Sequence, residues 1–168
     1  MKFLPFENTV YKTRLDVDEV KRRLGTILES ERTPSVKDLF LRRGNHKPYQ
    51  GRIVDNSFVM VRLIGYQNSF LPRIQGTIEK DIRGTKVNVK MRLNLFVGVF
   101  TLIWFTGAAI VGVSIMVSEA NNQSFKPMSL MPLGMLLFGY ALVTGAFKYE
   151  SIKSKRHLAE LLEAQMEG

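Results

Sequence analysis

Residues 93–118, LNLFVGVFTLIWFTGAAIVGVSIMVS, and residues 127–147, PMSLMPLGMLLFGYALVTGAF, contain no Asp, Glu, Lys, Arg or His. The first run has 26 residues between Arg92 and Glu119, and the second has 21 between Lys126 and Lys148. A helix needs about 20 apolar residues to cross a hydrocarbon core of about 30 Å. Both runs meet that length, and the short stretch between them is polar. The pattern predicts a two-helix transmembrane hairpin, with helices at 93–118 and 127–147 and an external loop at 119–126.

Charge outside the runs sets the expected orientation. Residues 1–92 carry 19 Lys and Arg against 10 Asp and Glu, while residues 148–168 balance at four against four. Cytoplasmic flanks collect basic residues. Lys86, Lys90 and Arg92 precede the first run, and Lys148, Lys153, Lys155 and Arg156 follow the second. Both termini are therefore expected in the cytoplasm, at a bacterial-type inner membrane. The same seven residues are the expected contacts to anionic lipid headgroups, each contributing about 1 kcal/mol. No secretory leader is read at the N-terminus, because Pro5, Glu7 and Asn8 interrupt any apolar stretch.

The polar segments read as one small domain of about 110 residues, enough for a single modest core. Residues 6–15 mix β-branched and aromatic side chains and predict a strand. Asp16 and Glu19 have capping-box spacing and open a helix. Its buried face would carry Val17, Val20, Leu24, Ile27 and Leu28. Residues 31–48 hold Pro34, Gly44 and Pro48 as breakers, with a short strand at 39–42. Residues 50–64 predict two strands about an Asp55-Asn56 turn. Residues 73–80 and 85–92 alternate, with Ile74 and Ile78, then Val87, Val89 and Met91, facing inward. Residues 150–166 predict an amphipathic helix with a stripe of Ile152, Leu158, Leu161, Leu162 and Met166. The expected fold class is α+β: a small antiparallel sheet with one N-terminal and one C-terminal helix, interrupted by the transmembrane hairpin. The 1–92 domain would be completed by packing of segment 148–168.

Chemistry-bearing patterns are sparse. His46 and His157 have no partner at metal-ligand spacing, and no GxSxG, GxxxxGK[ST] or GxGxxG motif occurs. With no cysteine, disulfides and Cys-based metal sites are excluded. No catalytic, cofactor-binding or metal-binding residue is identified. The absence of ionisable groups inside both runs, and the number of runs, argue against a transporter. Small residues four apart, Ala108 with Gly112 and Ala141 with Gly145, are the expected helix–helix packing positions. Trp104 lies 12 residues past Arg92, roughly 18 Å along the helix at 1.5 Å per residue, and marks a helix contact rather than an interfacial anchor.

These observations favour a non-catalytic binding or assembly module in a membrane. The partners they admit are membrane lipids, a second copy or another membrane protein, and a small ligand; nucleic acid is disfavoured. Two alternatives stand beside that reading: a ligand-triggered effector whose hairpins oligomerise and perturb the membrane, and an enzyme acting on a membrane-bound substrate.

Overall fold

The computed structural model describes residues 4–29, 47–66, 68–122 and 126–167. The fold is α+β. In chain order it comprises β1 (Phe6–Thr13), α1 (Val17–Ile27), β2 (Leu28–Glu29), β3 (Tyr49–Val54), β4 (Ser57–Arg62), β5 (Arg73–Asp81) and β6 (Gly84–Arg92). Then come α2 (Leu95–Asn121), a 3-10 turn (Pro127–Leu130), α3 (Met131–Leu161) and β7 (Gln165–Glu167). The strand expected at 39–42 and His46 lie outside the described residues.

Seven strands form one mixed sheet in the order β2-β3-β4-β5-β6-β1-β7. The expected small, wholly antiparallel sheet is thus corrected on two counts. β2 follows α1 without a break and runs parallel to β3, and two residues are too few for alternation to show. β7 pairs with β1 where helix was expected to Met166. α3 instead stops at Leu161 in a Schellman arrangement. Glu163 N–H donates to Glu160 O (3.2 Å), Ala164 N–H donates to Ala159 O (3.0 Å), and Glu163 sits at φ 46°. Glycine is the usual residue at such a left-handed stop. Glutamate there concealed it.

Elsewhere local chemistry and structure agree. Asp16 accepts from Glu19 N–H at 2.7 Å and caps α1. Asp55, at φ 50°, turns β3 into β4. Alternation puts Thr9, Tyr11, Phe58, Met60, Ile74, Ile78, Val87, Val89 and Met91 on one face. That face is covered by α1, through Val20, Leu24 and Ile27, and by the second half of α3, through Phe147, Leu158 and Leu162. Gly76 faces Phe58 across the β4–β5 ladder. A Cβ there would lie 2.2 Å from the ring, so the missing side chain is the space the ring fills.

The buried stripe on α3 differs from the expected one. Phe147, Glu150, Ser151, Ser154, Leu158 and Leu162 are buried, while Ile152 and Met166 are exposed. Polar residues occupy the middle of the stripe, so an apolar period does not find it.

α2 and the segment Pro127–Leu161 are each long and apolar enough to cross a membrane, with mean hydropathy 2.1 and 1.7 over their most apolar windows. They pack as an antiparallel pair. On α2 the half-buried positions include Thr101, Phe105, Ala108, Gly112, Ile115 and Glu119, alternately four and three apart, as in a coiled-coil seam; Val97, Gly98 and Ala109 are half-buried beside it. Pro132, Leu136, Gly139 and Val143 repeat the spacing on α3. A Cβ at Gly112 would lie 3.2 Å from Pro132, and one at Gly139 would lie 2.9 Å from Trp104 and Phe105. Ala108 and Gly112 are therefore on the seam. Ala141 and Gly145 are exposed, and nothing lies within 4 Å of a Cβ at Gly145. Gly139, three residues after Leu136 and four before Val143, takes the place expected for Ala141.

Replacing Gly139 with Ile should force the helices apart and lower stability in detergent by about 1–3 kcal/mol, the usual cost of overpacking a close contact. Gly145→Ile should leave the melting temperature within error of wild type. Equal losses in the two variants would contradict this seam.

Candidate functional site

The polar residues of the fold collect where the second half of α3 crosses the sheet, at the end of the sheet where β6 leads into α2. The register puts Arg62, Arg73, Arg92 and Phe6 at that end. Two of the inward-facing positions there are charged: Glu7 on β1 and Arg62 on β4. α3 lies between them and answers each with the opposite sign.

On the β1 side, Glu7 pairs with Lys148 and, at 3.2 Å, with Lys155. These lysines are seven residues apart and share a helix face. Burial alone would push the Glu7 carboxyl up, but the two lysines' hydrogen bonds and charges outweigh it and hold the group below the ordinary glutamate value. On the β4 side, Arg62 pairs with Glu150 at 2.8 Å, and the Glu150 side chain has no exposed surface. Tyr66 hydroxyl donates to the other Glu150 oxygen, a bond that pushes the phenol's pKa up. Further along α3, His157 Nδ1 lies 3.3 Å from Tyr49 hydroxyl, with the rings stacked 5.4 Å apart. Burial, and then the Arg62 charge, hold His157 below the ordinary imidazole value.

The end of α3 is secured in the same manner. Thr13 hydroxyl donates to Leu162 O at 2.6 Å, Arg23 to Leu161 O at 3.0 Å, and Tyr11 hydroxyl to Lys155 O at 3.3 Å. Arg23 also bridges Glu19 and Glu163. Its neighbour Arg22 stays on the α1 surface with Glu19, while Arg23 joins α1 to the end of α3.

The seven basic residues expected as one headgroup cluster are spread over the domain. Lys90 and Arg92 are exposed on the outer face of β6 at the α2 end. Lys86 is on the same strand but six residues earlier, about 20 Å away at 3.3 Å per residue. Lys148 and Lys155 are engaged with Glu7. Lys153 stands over the Tyr149 ring at 4.0 Å, and Arg156 is exposed on α3. Sequence reading missed Arg62, Glu150 and Arg73. Strand register could have found Arg73, by aligning it with Arg92, whereas Arg62 and Glu150 meet only through the docking of α3 on the sheet.

Two clefts flank the loop between β4 and β5. One, of about 640 Å³, is lined by Tyr66, Asn68, Ser69, Phe70, Leu142, Ala146 and Tyr149, and opens beside the apolar part of α3. The other, of about 400 Å³, lies on the outer face of the sheet. Among the described residues no group of three or more His, Asp or Glu is placed to hold a metal ion. The arrangement recognises charge and fixes a helix.

Arg62→Met leaves a fully buried carboxylate without its cation and should cost about 3–5 kcal/mol. Replacing the pair together, Arg62→Met with Glu150→Met, should recover most of that loss in thermal melts. The pH dependence has a fixed sign. His157 and Glu7 both titrate below their unfolded values, so both contribute stability at neutral pH. That from His157 declines as pH falls below about 6.5, and that from Glu7 below about 4.3. Melting temperature should therefore drop between pH 7 and 5, and His157→Phe should flatten that step. Comparison with known proteins finds no matching family model, no matching curated protein and no matching solved structure.

Proposed function

We propose that the protein is a two-pass integral membrane protein whose α+β domain lies against the cytoplasmic leaflet and acts as a binding or assembly module without catalysis. The observation that carries this reading is the exposure of the apolar helices. Leu95, Phe96, Phe100, Leu102, Ile103, Ile110 and Phe138 are 62–81% exposed, and none of the most apolar stretch of α2 is buried. A core helix of a soluble protein would bury those side chains. In water they would form an apolar surface far beyond the few hundred Å² that monomeric proteins tolerate. Hydrocarbon is the solvent that suits them, and every backbone polar group of a helix is already satisfied for that environment.

The orientation follows from charge. The 119–126 connection holds one glutamate and one lysine, while the domain at the opposite end carries the basic excess. The binding role is supported by what the domain presents towards the proposed bilayer: two clefts and a set of exposed basic side chains. Membrane lipids, a second copy or another membrane protein are the partners such a surface suits.

The absence of cysteine gives a direct test. In intact cells, a membrane-impermeant maleimide should modify an Asn121→Cys variant between the helices and spare Ile82→Cys, which is 99% exposed at the β5–β6 turn. Labelling of Ile82→Cys and protection of Asn121→Cys would reverse the orientation. Release of the wild-type chain by alkaline carbonate would remove the membrane reading altogether.

A further inference from the structure

On the outer face of the sheet, Arg73 and Arg92 stand directly opposite each other on β5 and β6. Directly opposed residues of an antiparallel pair have Cβ atoms about 4.5–5.5 Å apart, and like charges in that position repel. Nothing nearby offsets the repulsion. The same row continues with Val61 on one side and Phe6 on the other, and the next row on that face is Val59, Gln75, Lys90 and Asn8. Neither row carries a carboxylate on β4, β5, β6 or β1; beyond Val61 the first row runs through Gln50 to Glu29 on β2, three strands from Arg73. Arg92 has only the Phe6 ring, 5.2 Å from its guanidinium carbon. Among the described residues, neither Arg73 nor Lys90 makes an ion pair.

Arg73 also lines the 400 Å³ cleft, together with Gln50, Asn68, Ser69, Leu71 and Asn94. The polar groups of that cleft are biased towards donors. Asn94 Oδ1 accepts from Phe96 N–H at 3.0 Å, and Asn68 Oδ1 accepts from Phe70 N–H at 2.9 Å. Each asparagine thus turns its oxygen to a backbone N–H and leaves the two N–H donors of its amide for a ligand. A wall of amide N–H, a hydroxyl and a guanidinium, beside a second guanidinium, matches a ligand made of acceptor oxygens carrying negative charge. A phosphodiester is such a ligand, and arginine binds it bidentately.

The position selects the source. Asn94 caps α2, and the next residue, Leu95, is 81% exposed. The cleft therefore stands where the polar domain gives way to apolar helix, the level of lipid phosphates if α2 spans the bilayer. From this geometry we infer that Arg73 and Arg92, with Asn68 and Asn94, form a discrete site for the phosphate of an anionic phospholipid of the facing leaflet. The inference rests on the membrane reading above. It replaces a diffuse basic surface of seven residues by one site, of which only Arg92 belonged to that set.

The test uses the full chain in mixed micelles containing equal dioleoyl phosphatidylglycerol and dioleoyl phosphatidylcholine, with bound lipid counted by native mass spectrometry. The expected result is one phosphatidylglycerol retained in preference to phosphatidylcholine. Arg73→Gln with Arg92→Gln should lower its occupancy at least tenfold. Arg73→Lys with Arg92→Lys, which keeps the charge but not the fork, should give an intermediate loss. Lys80→Gln with Lys86→Gln removes the same charge at the far end of the sheet and should change nothing. Equal loss in that far-end variant would mean diffuse attraction and overturn the site, as would no preference for phosphatidylglycerol in wild type. Full competition by 10 mM inorganic phosphate would assign the arginines to a soluble phosphate and overturn the lipid. Failure of these binding tests with insertion intact refutes the site alone; carbonate release of the chain refutes the membrane reading and, with it, the lipid as the ligand.

Discussion

Glu150 is a carboxylate with no exposed surface on the helix that joins the apolar pair to the sheet. Removing an ion from water costs several kcal/mol even after relaxation, and only a close opposite charge with good hydrogen bonds repays it. Arg62 and Tyr66 supply those groups, and they come from one end of β4 and the loop beyond it. α3 can therefore dock on the sheet only at the rotation and height that deliver Glu150 to Arg62. Glu7 with Lys148 and Lys155 imposes the same alignment from the other side, with the signs exchanged. A helix turned by one residue, about 100°, would oppose neither pair. Apolar packing by Phe147, Leu158 and Leu162 holds α3 down, while the ion pairs select the position in which it is held.

Much of this architecture was legible in the sequence because local chemistry is strong there. The strands at 73–81 and 84–92 alternate, with Ile74 and Ile78, then Val87, Val89 and Met91, inward, Asp16 marks a helix start, and the two apolar runs cannot be mistaken for strands. The parts that escaped are those settled at a distance. β2 is two residues long, and β7 exists because β1 offers it a partner. The helix stop at Glu163 uses a residue that rarely takes the left-handed conformation. The stripe on α3 is polar in its middle because ion pairing across the sheet replaces hydrophobic contact, so a search for apolar periodicity selects Ile152 instead of Glu150. Similarly, Gly139 proves to be a seam residue and Gly145 does not, a distinction that depends on how the helices are rotated about their own axes.

The two faces of the sheet treat charge differently. On the inner face every charged side chain near α3 meets an opposite charge, and the result is rigidity. On the outer face Arg73, Lys90 and Arg92 are left unopposed. Folding stability gains nothing from that arrangement, since opposed arginines repel. A partner outside the chain would relieve it, and for that reason the outer face, not the more elaborate inner one, is the part of the domain to which a binding role is attached.

The sheet takes its strands from both sides of residues 95–147. β1 lies between β6, which precedes that stretch, and β7, which follows it, and the core beneath the sheet lacks Phe147, Leu158 and Leu162 until α3 is complete. On a ribosome, the first 92 residues therefore emerge as a half-built layer with an open greasy underside. It must be kept from aggregating while the next 70 are synthesised. The order of manufacture thus creates a waiting period that a contiguous domain would not have.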